Sequence, residues 1–367
     1  MSLKKDSFSF FDKKNMRFAI NLAKNHNGLT GTNPSVGCVI VKNKKIISYG
    51  ATSFNGRPHA ETIALKKCKN NSSKSSLIYV TLEPCSHYGK TPPCTNAIIK
   101  AKVKKVYYCM EDSDLRSFNN SKKVLKKKKI STKSGLMQKE AKKLYKSYDF
   151  VRKNKMPYVI GKIACSSNFY ILNNKKPITN YHSRKVSHLL RYQNQGILTS
   201  YKTVNSDNPK LNCRIRGLEK FSPTRLILDK DLKIKMNTFI VRSSEKYKTI
   251  VFHSSKNTKK LKKLKYKKIK SVYTDLNNNG NLDLKLIFKK IYEIGIHNIL
   301  VESGRNLTNN ILKDKLFNEF YLFKSSKKIF GKDKINIQNI NKNLNITFKR
   351  KESINTYLDK DILLHYY

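Results

Sequence analysis

Four residues have the types and spacing for metal-assisted chemistry. His59 and Glu61 stand in PHAETIAL (58–65), and Cys85 and Cys94 stand in TLEPCSHYGKTPPC (81–94). One imidazole and two thiolates give Zn²⁺ three protein ligands and leave its fourth position for water. A closed structural site needs a fourth ligand, and the sequence offers no obvious one. Zinc lowers the pKa of its water to ~7, which supplies hydroxide at neutral pH. Glu61 begins the same helix as His59 and is placed to carry a proton between that water and a leaving amine. A disulfide is the competing use of two cysteines. Seven cysteines, an odd number, in a long chain without a secretion signal argue against a disulfide framework. Cys38, Cys68, Cys109, Cys165 and Cys213 lie in apolar or helical settings and read as buried, inert thiols.

These groups need a scaffold, and the hydrophobic pattern describes one. Residues 12–26 are apolar at helical spacing, VGCVIV (36–41) is a buried strand, and 45–52 is a second strand. Segment 59–68 is helical, 77–82 a strand, 95–101 a helix and 103–110 a strand. Pro84 is expected to fix a strand-to-helix turn that presents Cys85. A lysine-rich helix at 138–152 closes a domain spanning 1–150, with a linker at 153–157. A second domain, 156–367, repeats the alternation, with strands at 157–166, 196–201, 224–229, 249–255 and 297–303 and helices at 183–193 and 284–295. The polar stretch 256–283 reads as surface loop. Both domains are layered α/β.

The formal net charge of +53 raises nucleic-acid binding as a first hypothesis. The lysines, however, run through the whole chain in company with Asn, Ile, Tyr and Phe, as in KKVLKKKK (122–129) and KKLKKLKYKKIKS (259–271). That set matches the output of an AT-biased genome, so solvated lysine-rich faces are the simpler reading. No specific nucleic-acid partner is expected. No apolar run approaches the ~18–20 residues of a membrane span, so no membrane partner is expected either, and a cytoplasmic setting is.

H-x-E followed by P-C-x-x-C is the pattern of zinc base deaminases, with the glutamate outside the metal shell. Here eight residues, SHYGKTPP, separate the cysteines. With TNPSVGCV (32–39), HAE and TLEPCSHYGKTPPC in this order, the N-terminal half closely resembles the deaminase half of the bifunctional riboflavin-biosynthesis enzyme family. The resemblance implies a three-layer, cytidine-deaminase-like domain. Its implied reaction is the hydrolytic deamination of 2,5-diamino-6-(5-phosphoribosylamino)pyrimidin-4-one. It also implies Zn²⁺ on His59, Cys85 and Cys94, with Glu61 catalytic. His87, Lys90 and Thr91 in the long insert suit the sugar or phosphate of that substrate, while His87 as a fourth zinc ligand is the alternative. Asn33 is expected to line the pyrimidine pocket, with an ordinary turn role as its alternative.

The family joins this deaminase to a dihydrofolate-reductase-like α/β domain that uses NADPH to open the ribosyl group to a ribityl chain. Lys162 in GKIACS, the block 189–214 and VESGRNL (301–307) carry that part of the resemblance. It implies cofactor contacts at Ala164, Thr203, Asp207, Gly304, Arg305, Asn306 and Leu307. It implies substrate contacts at Lys162, Arg191, Leu211, Arg214 and Glu302. It also implies a homodimer or higher homo-oligomer. The family's S-L-D-G-K/R turn appears here as Ser166-Ser167-Asn168-Phe169-Tyr170, and phenylalanine is a poor occupant of the φ > 0 position that glycine takes. LNNKKPIT (172–179) is short and has Pro177 where the family has tryptophan, and EDSDLRSFNN (111–120) replaces D-P-N-P…G-x-G. These departures open a second reading, a deaminase whose reductase-like domain is only structural.

Overall fold

The computed structural model of the protein describes residues 8–69, 72–172, 177–330, 334–354 and 358–367. The chain divides between Asn154 and Lys155 into two compact units.

The first unit is built on five strands: β1 (Gly37–Lys42), β2 (Lys45–Ala51), β3 (Leu77–Val80), β4 (Lys105–Tyr108) and β5 (Ser131–Lys133). Their order is β2-β1-β3-β4-β5, with β1 antiparallel to both neighbours and β3, β4 and β5 parallel. Five consecutive residues of β1 are buried, so both faces of the sheet are covered. Helix Phe10–Asn25 buries Met16, Ala19, Ile20 and Ala23 at helical spacing, and Ser9 with Asp12 forms its capping box. It lies so close to β1 that a Cβ on Gly37 would sit 1.9 Å from the Ala19 carbonyl oxygen. This helix packs with Gln138–Asn154, while Ala60–Lys66 packs with Cys94–Lys100. The result is a three-layer α/β unit.

The second unit contains β6 (Tyr158–Cys165), β7 (Tyr170–Leu172), β8 (Gly196–Ser200), β9 (Thr224–Leu228), β10 (Thr249–His253) and β11 (Lys270–Tyr273). It continues with β12 (Asn298–Glu302), β13 (Glu319–Lys324), β14 (Lys334–Asn336), β15 (Lys351–Ile354) and β16 (Ile362–Tyr366). Nine of them form one sheet in the order β11-β10-β9-β8-β12-β6-β13-β16-β15, parallel from β11 to β13 and antiparallel at β16 and β15. β7 and β14 pair separately.

Several expectations need correction. Segment 256–283 is not one loop: Thr258–Tyr266 is a helix and Lys270–Tyr273 is the edge strand β11. Asn257 caps that helix by accepting from the Lys260 N–H, and Leu264 anchors it in the core. Two leucines among lysines are enough to seat a short helix, and the polar composition masked them. Cys68 is only half-buried, unlike the other four cysteines of its group. Phe169 does take the left-handed backbone, with φ +60°. Most of the short loop after Leu172, residues 173–176, lies outside the described residues.

Candidate active sites

In the first unit two helix starts and one loop bring the metal donors together. His59 is the N-cap of Ala60–Lys66, and Cys94 opens Cys94–Lys100 behind Pro93. Cys85 comes from the loop after β3 rather than from a strand-to-helix turn, so Pro93, not Pro84, precedes the helix. His59 Nδ1 lies 3.3 Å from Cys94 Sγ and 3.6 Å from Cys85 Sγ, and the Cys94 N–H donates to Cys85 Sγ at 3.2 Å. The three donor atoms all fall within 4.8 Å of one another. One nitrogen and two sulfurs at this separation are a donor set suited to zinc with a position left open.

The electrostatics of the cluster suit a metal too. The Cys85 thiol is drawn down to about 4, first by its hydrogen bond with Cys94 and, against the cost of burial, by His59. Cys94 is held well above its ordinary value by sharing with Cys85 and by burial. The pair behaves as a thiolate and a thiol sharing a proton, which metal binding displaces. Glu61 is buried beside them, and burial pushes its carboxyl up to about 7.

Other expected residues fall around this centre. Asn33 Nδ2 donates to the Gly56 carbonyl at 2.9 Å, and its own carbonyl accepts from Thr30 Oγ1, so its side chain fixes the loop leading into His59. His87 is not in the donor cluster of the described residues; its Nδ1 is 3.1 Å from Ser117 Oγ. Thr91 accepts from Arg57 Nη1.

Sequence reasoning missed Glu83. Its buried carboxylate accepts from the backbone N–H groups of Asp112, Asn119 and Ser121 and from Ser121 Oγ. The divergent stretch 111–120 is therefore anchored from the LEP segment itself. The one sequence signal was a carboxylate next to Pro84 at the end of a buried strand.

In the second unit a cavity of about 550 Å³ opens at the ends of β6, β8 and β12. Of the expected substrate residues, Lys162, Arg191, Leu211 and Glu302 line it. Of the expected cofactor residues, Ala164, Thr203, Asp207 and the run Gly304 to Leu307 line it. Arg214 does not; it is exposed, and its Nη1 is 3.5 Å from Asn212 Oδ1. Parallel pairing sets Glu302 of β12 beside Lys162 of β6, 3.6 Å apart. Arg191, from helix Tyr181–Tyr192, grips the same carboxylate with Nε at 2.7 Å and Nη2 at 3.0 Å. Burial alone would raise Glu302, but the two cations carry it down to about 2. Gly304 caps helix Arg305–Lys313, and a Cβ there would meet nothing nearer than Thr203 Oγ1 at 4.0 Å. The helix start is therefore open toward the cavity, as a cradle for a dinucleotide's phosphates requires.

The divergent turn before β7 is ordered. Ser166 Oγ donates to Asn168 Oδ1 at 2.6 Å, Asn168 Nδ2 donates to the Ile329 carbonyl, and the Ile329 N–H donates back to Asn168 Oδ1. The Asn168 amide thus ties the turn to the 325–330 segment.

Comparisons with known proteins cover both units. Residues 10–110 match the cytidine and deoxycytidylate deaminase zinc-binding region, and residues 157–358 match the RibD C-terminal domain. The riboflavin biosynthesis protein RibD of Aquifex aeolicus is 32% identical over 355 residues, which is 94% of this chain and 96% of that protein. Among solved structures, Acinetobacter baumannii RibD (form 1) superposes with a TM-score of 0.82 at 27% identity, covering 97% of this chain and 98% of that one. The Thermotoga maritima diaminohydroxyphosphoribosylaminopyrimidine deaminase/5-amino-6-(5-phosphoribosylamino)uracil reductase superposes with a TM-score of 0.79 at 27% identity over the same shares.

Proposed function

The chain belongs to the RibD family of riboflavin biosynthesis proteins, and on that premise we propose how its residues divide a deamination and a reduction between two domains. It is a bifunctional enzyme with a zinc-binding deaminase domain and a reductase domain, and its cofactors are zinc and NADPH. Residues 1–150 perform the deamination and residues 156–367 the reduction.

In the deaminase, His59, Cys85 and Cys94 hold the zinc, which when bound activates water for attack on the amine-bearing carbon. Glu61 takes a proton and returns it to the departing ammonia; burial, by raising its carboxyl to about 7, suits it to both halves of that task. Asn33 shapes the pyrimidine side of the pocket by fixing the loop before His59. His87, Lys90 and Thr91 face the phosphoribosyl arm. In the reductase, NADPH supplies the hydride. Thr203, Asp207, Ala164 and the helix start from Gly304 to Leu307 seat it. Lys162, Arg191, Leu211 and Glu302 hold the ribosyl end of the substrate. Arg214, exposed outside the cavity lining, takes the phosphate in a bidentate contact.

The observation that carries this reading is the convergence of His59, Cys85 and Cys94 with Glu61 buried beside them. The alternative of a purely structural second domain finds no support, since the expected cofactor residues and, except for Arg214, the expected substrate residues line one cavity. The test is one incubation of purified protein with 2,5-diamino-6-(5-phosphoribosylamino)pyrimidin-4-one and NADPH, with products resolved by mass. The ribityl product is expected. Arrest at the deaminated ribosyl compound would remove the reductase half, and no deamination with zinc bound would remove the rest. We further propose a cytoplasmic homodimer, to be checked by light scattering.

A further inference from the structure

Between Glu245 and Asp275 the chain has eleven lysines and no acidic residue. This stretch folds into β10, helix Thr258–Tyr266 and the edge strand β11, which together enclose a cleft of about 770 Å³. The cleft shares no lining residue with the reductase cavity. Thr258, Leu261, Lys262 and Lys265 are spaced i, i+3, i+4, i+7, so one helical face forms one wall. Lys270 and Tyr273 of β11 form the other, and Lys256 stands at one end. His253 is buried at the base, its ring edge-on to Tyr273 at 5.9 Å and 85°. Tyr273 itself is 48% exposed.

Among the described residues no ion pair engages Lys256, Lys262, Lys265 or Lys270; the nearby Glu245 is taken by Lys268. The lysines of the helix repel one another at i, i+3 and i, i+4; Asp229 attracts Lys260, which does not line the cleft. A ligand with several negative charges would relieve them. The half-exposed Tyr273 on the β11 wall asks in addition for a flat, stackable group. A duplex hides its bases and an acidic peptide has none, whereas a single strand offers phosphates and bare bases together. The other lysine run, Lys122–Lys129, has comparable charge density but contains no tyrosine and lines neither this cleft nor the reductase cavity, so it provides an internal control.

We propose that the cleft between helix Thr258–Tyr266 and β11 binds single-stranded nucleic acid without sequence preference, with lysines on the phosphates and Tyr273 stacked on a base. The test is fluorescence anisotropy of a labelled oligouridylate of about twelve nucleotides, within the usual site sizes, titrated with the full-length enzyme at several salt concentrations. Lys262→Gln with Lys265→Gln should weaken binding about tenfold and lower the salt slope by about 1.4, roughly 0.7 per phosphate contact. Tyr273→Ala should weaken it about fivefold or more, as loss of a stacked base does. Lys126→Gln with Lys127→Gln should change affinity less than about twofold, and saturating NADPH should not displace the strand. Retained deaminase and reductase turnover in every variant reports that the fold is intact. Equal losses in the two double variants would overturn the cleft in favour of diffuse charge. Competition by NADPH would assign the cleft to the cofactor instead. An unchanged Tyr273→Ala, or equal competition by polyglutamate of matched charge, would overturn the nucleic-acid reading.

Discussion

The two active sites gather their residues in opposite ways. In the deaminase unit the working groups come from two short motifs, and three of the four sit at or next to a helix start. In the reductase unit the central ion cluster joins Arg191 to Glu302, 111 residues apart, through a helix and the register of β12 on β6. A site made from contiguous motifs has each function concentrated in a single atom, so one change removes it. A site held by sheet register can absorb substitution at its margin, and the turn at 166–170 has changed while Lys162 and Glu302 keep their pairing.

The largest effects belong to the motif site. Glu61→Ala should lower deamination by about 10²–10⁴-fold, the usual contribution of a positioned acid–base group, while zinc content by elemental analysis stays at one per chain. Cys94→Ala should lose both metal and deamination. Either variant should still reduce the deaminated ribosyl substrate in the presence of NADPH. If Glu61→Ala deaminated normally, the proton shuttle would lie elsewhere and the concentration of function argued above would fail.

Next comes the distributed site. Glu302→Gln leaves Lys162 and Arg191 buried without their carboxylate, and breaking a buried pair from one side costs about 3–5 kcal/mol. Reduction should be lost, and deamination at a temperature below the unfolding transition should not. The same residue sets a pH dependence. Its folded pKa, about 2, lies below its ordinary value, so its contribution to stability is complete above the unfolded pKa and fades as pH falls through the folded one. Denaturant titrations from pH 5 down to the acid limit should show a falling limb in the wild type that is shallower in Glu302→Gln.

How much of this was legible in the sequence follows the same contrast. The metal-donor cluster of His59, Cys85 and Cys94 with Glu61 could be read directly, because motif spacing and helix starts are local properties. The cavity residues of the second unit were reached through a family resemblance, and nothing in their own spacing would have paired Lys162 with Glu302; only strand register does that. The helix Thr258–Tyr266 was missed because its apolar content is two leucines in a lysine field. Glu83 was missed because its partners are backbone N–H groups, which sequence does not display. Arg214 was placed with the substrate groups, but the fold leaves it exposed outside the cavity lining.

A smaller effect is expected at Asn168, whose amide carries the contacts between the turn and Ile329. Asn168→Ala should destabilise the second unit by about 1–3 kcal/mol through unsatisfied partners. KM for the ribosyl substrate should rise in steady-state assays of reduction, with deamination unchanged.

The smallest and sharpest test is Phe169. At φ +60° a side chain costs about 1–2 kcal/mol that glycine does not. Against this, the ring packs on the second unit's core and lies 4.5 Å below Lys324 Nζ, a contact worth about 0.5–1 kcal/mol at an exposed site. Phe169→Gly relieves the backbone and loses the ring, so its stability should stay within about 1 kcal/mol of wild type, with glycine's greater unfolded-state entropy included. Phe169→Ala loses the ring and keeps the strain, and should be the less stable of the two by about 1 kcal/mol. Chemical denaturation of the two variants side by side gives the order. Glycine above alanine means that packing holds Phe169 in a backbone geometry that favours glycine. Alanine above glycine would mean that the turn relaxes when the ring leaves, and that the margin of the reductase site is softer than its register suggests.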